Sequence, residues 1–228
     1  MRGVFVTGTD TGVGKTVLAG AICAALAARG VSVAAYKPVV TGLDEEPGDW
    51  ARDHELLARA TGQRPGDVAP YAFGPPVSPH YAAELAGVSI DPGRLLEAAR
   101  TGAVDALVCE GVGGLLVPLT PGYLVRDLAL DLGLPLVIAA RPGLGTINHT
   151  LLTVEAARAA GLAVAAVVMT PWLAEPEPIE VSNRATVERL GDVRVSGLPP
   201  ATPASLAEAG AALPLDDWLD ADRHNGGR

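Results

Sequence analysis

The chain of 228 residues has only two cysteines, two lysines and 4% aromatic residues, and no apolar run in it approaches the length of a membrane span. Each scarcity excludes something. Cys23 and Cys109 sit singly inside apolar runs, so they offer neither a disulfide framework nor metal-ligand spacing and read as buried thiols of a reduced, cytoplasmic protein. A span needs ~18 consecutive apolar residues, and a leader needs basic residues, an apolar segment and a cleavage site. Neither pattern occurs, so the chain reads as soluble and unprocessed. Positive charge is also short: 17 basic against 26 acidic residues leave −9. That balance argues against nucleic acid or a membrane surface as partner, because both present phosphate to a basic face. Any anion bound here must be held by local groups. Hydrophobic residues, mostly Ala, Val and Leu, make up 49% of the chain, enough for one substantial core and one domain.

The shortage of lysine directs attention to where lysine remains. Fifteen of the basic residues are arginine, leaving Lys15 and Lys37. Lys15 lies in VFVTGTDTGVGKT (residues 4–16), which resembles a phosphate-binding loop except that five residues rather than four separate Gly8 from Gly14. Gly8, Gly12 and Gly14 allow backbone N–H groups to turn inward around an anion, and the helix predicted from Lys15 aims its positive end at the same place. A compact ammonium on a thin stem suits that position better than a planar guanidinium. Thr16 supplies a hydroxyl for a Mg²⁺ bound to the phosphates.

The surrounding pattern is the context such a loop requires. Residues 2–7 read as a buried strand and 15–29 as an Ala/Leu helix ended by Gly30. Further strands are expected at 31–36, 105–110, 134–140 and 162–169, with helices at 54–61, 91–101, 124–133, 147–161 and 181–190. Residues 62–80 and 171–180 read as loops. Short apolar runs alternating with helices predict a single α/β domain over residues 1–219, a mostly parallel sheet covered by helices on both faces, with ligands at the carboxyl ends of the strands. Residues 220–228 read as a disordered tail.

A Mg²⁺ at the loop needs carboxylates from other strand ends. Glu110 ends the apolar run ALVC and precedes GVGG. Asp53 is the second candidate, with Asp49 as the alternative, and Asp53 also fits the cap of the helix that begins HELL. The segment LGTINHT opens another helix, and the free N–H groups around Gly145, Thr146, Ile147 and Asn148 form an anion site without a basic side chain. His54, His80 and His149 read as structural residues.

Six ordered stretches, TGTDTGVGKT (7–16), YKPVVTG (36–42), RDHELL (52–57), PYAFGPPVSPH (70–80), EGVGGLLVPL (110–119) and LGTINHTLLT (144–153), resemble the dethiobiotin synthetase family within the P-loop NTPase fold. The lengthened glycine loop is a variant typical of that family. The resemblance implies that 7,8-diaminopelargonate and CO₂ form a carbamate, that ATP phosphorylates it, and that the second amine closes the ureido ring. It implies Lys37, Lys15 and Thr11 as catalytic groups and Thr16, Asp53 and Glu110 as Mg²⁺ ligands. Gly12, Val13, Gly14, Lys15, Thr16, Glu110, Gly113, Thr170, Leu198 and Pro199 are implied to bind the nucleotide. Thr11, Lys37, Thr41 and residues Gly145 to Asn148 are implied to bind the substrate, the last group from the partner of a homodimer whose active site lies at the interface.

Two positions depart from what some members carry, and a third separates the chain from other relatives of the fold. Gly12 replaces an acid. Asp10 stands where ParA/MinD-like ATPases have lysine. Thr170 stands where an asparagine reads the base, so one hydroxyl replaces a donor and acceptor pair and other nucleoside triphosphates become admissible. A regulatory ATPase of the ParA/MinD kind and a carboxylate-activating amidoligase are the alternatives to a synthetase.

Overall fold

The computed structural model describes residues 2–48 and 50–219, so the alternative ligand Asp49 and the tail expected at 220–228 lie outside the described residues. The chain opens with β1 (Gly3–Gly8), whose six residues are all buried, followed by the glycine loop and α1 (Lys15–Ala28). β2 (Val33–Tyr36) leads to the short β3 (Val39–Val40), α2 (Asp53–Thr61), α3 (Pro65–Val68), β4 (Tyr71–Ala72), α4 (Pro79–Leu85) and α5 (Pro92–Ala99). Next come β5 (Ala106–Gly114), the hairpin strands β6 (Pro118–Thr120) and β7 (Tyr123–Leu124), α6 (Val125–Leu132) and β8 (Leu136–Ala140). The chain continues through α7 (Thr146–Ala159), β9 (Val164–Met169), α8 (Pro178–Gly191), β10 (Val195–Gly197), α9 (Leu206–Ala211) and α10 (Leu215–Leu219).

Among the described residues the main sheet has six strands in the order β10-β9-β8-β1-β5-β2, and every pairing in it is parallel. Its strands are apolar runs because both faces are covered. Side chains alternate between two cores. Val4, Val6, Val137 and Ala139 pack with α1, α2, α9 and α10 through Leu18, Ile22, Leu56, Leu206 and Trp218. Phe5, Leu136 and Ile138 face α5 to α8 through Leu95, Leu128, Val154 and Val187. The predicted single α/β domain with helices on both faces is the observed one.

Local chemistry sets the boundaries. Gly62 ends α2 in the left-handed conformation, and the Asp91 carboxylate accepts the N–H of Gly93 at 2.9 Å to start α5 behind Pro92. Residues 62–80 differ from the expected loop: α3, β4 and the start of α4 fall there, two of them begun by a proline at the first helical turn. α8 begins at Pro178, three residues before expectation, with Glu177 and Glu180 forming a capping box. β5 runs past Glu110 to Gly114 because Gly8 pairs with Gly114 beyond a register shift. All these strands end at one edge, which carries the loops that build the site.

Candidate active site

The turn from β1 to α1 works through two glycines. Gly12 and Gly14 adopt φ of 70° and 89°, left-handed values that a side chain would strain. Alternating with ordinary residues, they curl the backbone into a nest of N–H donors. Val13 is buried beneath the loop against Gly8. Lys15 is 7% exposed, and its Nζ donates to the Asp10 carbonyl at 2.8 Å. The Asp10 carboxylate accepts the Thr11 N–H at 2.7 Å, so the residue that replaces a lysine elsewhere fastens the loop here.

Across the cavity floor lies a compact charge cluster. Glu110, brought in by β5, is fully buried, and its Oε1 accepts both Lys37 Nζ at 2.6 Å and Thr16 Oγ1 at 2.8 Å. Lys37, the first residue after β2, also meets Asp53 Oδ2 at 2.8 Å. Asp53 is the first residue of α2 rather than its cap, which is Arg52, and its carboxylate turns toward the lysine. Burial alone would push Lys37 down, but Asp53 and Glu110 together hold it above the ordinary lysine value and it stays charged. Burial lifts Glu110 above the usual carboxylate range, with Lys37 only partly opposing. Asp53 feels burial too, yet Lys37 and the Thr16 hydroxyl bring it below its usual value. Lys15 is lowered by burial, and the neighbouring Lys37 adds to the shift. Lys15 and Lys37 both line one hollow beside the N–H donors of the glycine loop, a combination suited to a multiply charged anion.

The hollow measures about 630 Å³ and is lined by Thr11, Gly12, Gly14, Lys15, Thr16, Lys37, Thr41, Asp53, Glu110 and Gly113, with Trp50 and the 76–79 segment on its far wall. These sequence-nominated residues come together. Whether the set fits a divalent cation turns on one atom: Glu110 Oε2 is buried and has no hydrogen-bond partner among the described residues. An orphaned carboxylate oxygen beside a hydroxyl and a second carboxylate suits Mg²⁺, which takes one or two carboxylates and completes its shell with phosphate and water. Among the described residues no three His, Cys, Asp or Glu side chains gather as an all-protein cage would require.

Two other nominated groups lie apart from this hollow. Thr170 is buried at the end of β9, and its methyl stands 2.7 Å from where a Gly14 Cβ would be. Leu198 spends its N–H on Met169 O at 2.9 Å and accepts from Trp172 N–H at 2.7 Å, so its donor is already committed, and Pro199 has none. Gly145, Ile147 and Asn148 line a separate hollow of about 520 Å³, while the buried Thr146 hydroxyl is 3.3 Å from that of Thr150. Leu144 beside it is 94% exposed. Cys23 and Cys109 are buried, and burial pushes both thiols well up, which leaves them inert.

Sequence reasoning missed Arg141, whose guanidinium lies over the glycine loop with Nη2 3.4 Å from the carbonyls of Thr11 and Gly12. The one sequence signal it carries is its place directly after β8, at the sheet edge to which Lys37 after β2 also belongs.

A family profile described as AAA domain matches residues 2–208. The chain is 47% identical over 193 residues to the ATP-dependent dethiobiotin synthetase BioD of Anaeromyxobacter dehalogenans, covering 83% of this chain and 86% of that one. The enzymes of the same name from Agrobacterium fabrum and Bacillus subtilis are 42% and 38% identical, over 94% and 88% of this chain and 96% and 87% of theirs. Among solved structures, the cell division ATPase MinD of Pyrococcus furiosus superposes with a TM-score of 0.52 at 16% identity, covering 100% of this chain and 93% of that one. A ParA family ATPase from Chlorobium tepidum gives 0.53 at 10% identity, with 100% and 94% coverage. At such identities the likeness is one of fold alone.

Proposed function

The chain belongs to the ATP-dependent dethiobiotin synthetase family, and from that premise we propose that it is a ligase that closes the ureido ring of dethiobiotin from 7,8-diaminopelargonate, CO₂ and ATP. The observation that carries the reading at the level of chemistry is the buried Lys37 between Glu110 and Asp53, facing the phosphate nest across one hollow.

The reaction needs two anions to meet. One amine nitrogen attacks CO₂ and loses a proton, giving a carbamate. A carbamate oxygen then attacks the γ-phosphorus and displaces ADP. The second amine attacks the carbonyl carbon, the C–O bond breaks, and phosphate leaves with the oxygen. Transition-state charge builds on the γ-phosphoryl and carbamate oxygens, so catalysis lies in positioned cations and donors. Lys15 and the N–H groups of residues 12–16 hold the phosphates. Lys37 neutralises the oxygens being joined, and Thr11 and Thr41 orient the carbamate through their hydroxyls. Thr16, Glu110 and Asp53 would hold Mg²⁺, which when bound would offset phosphate charge.

The adenine lies between the turns at Thr170 and at Leu198 and Pro199. With the Leu198 N–H committed to Met169, the Thr170 hydroxyl and the Pro199 carbonyl are the groups left to meet it, so recognition of the base is loose and other nucleoside triphosphates serve. The helix N-terminus at Gly145 to Asn148 is not among the residues that line the phosphate hollow of its own chain, and it serves the partner of a homodimer, where it receives the substrate carboxylate. Exposed Leu144, Leu152 and Leu116 supply apolar surface for that contact. Reduced thiols and the need for ATP make the cytoplasm its compartment.

Phosphate release from purified protein, Mg²⁺ and ATP tests the reading. It should require diamine and bicarbonate together. Slow release indifferent to both would assign a regulatory ATPase.

A further inference from the structure

We propose that Arg141 is a positioning residue for the phosphate nest, holding two carbonyls outward so that the N–H groups bonded to them point inward. The inference rests on the reading of the glycine loop as the ATP phosphate site and assigns a role to a residue outside the hollow's lining.

The geometry comes from the planar peptide. In a trans peptide the C=O and N–H point in opposite directions. Arg141 Nη2 lies 3.4 Å from both Thr11 O and Gly12 O. Carbonyls drawn toward a cation on the outer side of the loop set the N–H groups of Gly12 and Val13 toward the inner side. Glycine at 12 is part of the arrangement: its φ is 70°, and a Cβ there would stand 3.3 Å from the same Nη2. A side chain there would crowd the guanidinium.

The arginine is delivered by a fixed backbone. On one side it leaves β8, whose last carbonyl, Ala140 O, accepts the Thr170 N–H at 2.9 Å. On the other, the carbonyls of Pro142 and Gly143 both accept from Nδ2 of Asn183, at 2.9 and 3.0 Å. Asn183 is 6% exposed and belongs to α8, so a buried amide tethers the segment. Ion pairing does not explain the placement. Arg29, Arg64 and Arg194 each meet an aspartate on the surface, whereas Arg141 forms no ion pair among the described residues and has loop carbonyls as its partners. Donors fixed in place before the phosphates arrive are worth more than donors that must reorganise.

Calorimetric titration of MgATP into wild type, Arg141→Ala and Arg141→Lys tests this, alongside steady-state kinetics of all three. Arg141→Ala should weaken ATP and raise its KM about tenfold, the scale of one charged hydrogen-bonding group. kcat should fall less than about threefold, the KM for 7,8-diaminopelargonate should stay put, and inorganic tripolyphosphate should lose affinity by the same factor as ATP. Arg141→Lys should recover part of the loss. ATP affinity of Arg141→Ala within twofold of wild type would overturn the inference, as would a joint rise of both KM values with a lowered melting temperature. Failure of the wild type to bind ATP at all would instead overturn the reading of the loop.

Discussion

Replacing Lys37 by methionine keeps most of the side-chain volume and removes the ammonium that stands 2.6 Å from Glu110 and 2.8 Å from Asp53. The two carboxylates respond differently. Asp53 has a side chain 44% exposed and can turn to water, while Glu110 is fully buried and cannot. The cheapest escape for Glu110 is to take up a proton. From an unfolded value of ~4.3, protonation at pH 7 spans about 2.7 pH units, or about 3.7 kcal/mol. That is an upper bound, since Lys15 also faces Glu110, and it agrees with the ~3–5 kcal/mol lost when one partner of a buried pair is removed. At pH 5 the same step costs only about 1 kcal/mol. The sign follows: with the folded value of Glu110 raised above the unfolded one, the folded variant binds the extra proton, and its stability falls as pH rises from ~4.3 toward the raised value. Urea unfolding of both proteins at pH 5 and pH 7 measures it, with the melting temperature at pH 7 falling by roughly 7–15 °C. Lys37→Met with Glu110→Gln should regain most of the loss. A deficit at pH 7 no larger than at pH 5 would refute the reasoning.

Three further outcomes follow from the same geometry. Lys37→Ala should lower turnover by roughly 10²–10³, the scale of one lost transition-state charge partner, read from initial rates at saturating substrates on protein verified as folded. Glu110→Gln should shift the Mg²⁺ dependence of the rate to higher concentration by about tenfold or more, because the orphaned oxygen loses its charge; an unchanged midpoint would remove Glu110 from the ligand set. Leu144→Glu should convert the proposed homodimer to monomers in sedimentation analysis and abolish ring closure without lowering the melting temperature, since Leu144 is 94% exposed in the single chain.

The main elements were legible because their signals are long or doubly marked. Each main strand but one is an apolar run between breakers, and the glycine loop is flanked by a strand and a helix, so sheet type, edge and loop follow from pattern alone. The exception, β10, has three residues, too few for a period. α3, β4, α9 and α10 have at most six residues each, again too few to show a period. Within the site, Glu110 could be named because a charge that ends an apolar run is conspicuous. That Lys37 would bridge it to Asp53 could not, because the contact joins residues 73 positions apart. Arg141 was overlooked for a compositional reason: among fifteen arginines, one at a strand end looks like any other until its carbonyl partners are seen.

The central claim is that the site joins a carbamate oxygen to the γ-phosphoryl group, and oxygen tracing tests it most directly. Freshly prepared ¹⁸O-bicarbonate, ATP, Mg²⁺ and 7,8-diaminopelargonate are mixed with enzyme, and the released phosphate is analysed by mass at times short against exchange with water. If the carbamate attacks phosphorus and ring closure then breaks the C–O bond, each phosphate leaves with one oxygen from bicarbonate. Labelled phosphate appearing in step with ring-closed product is the predicted result. Unlabelled phosphate would mean that water attacked the nucleotide, and the account of the site would be wrong.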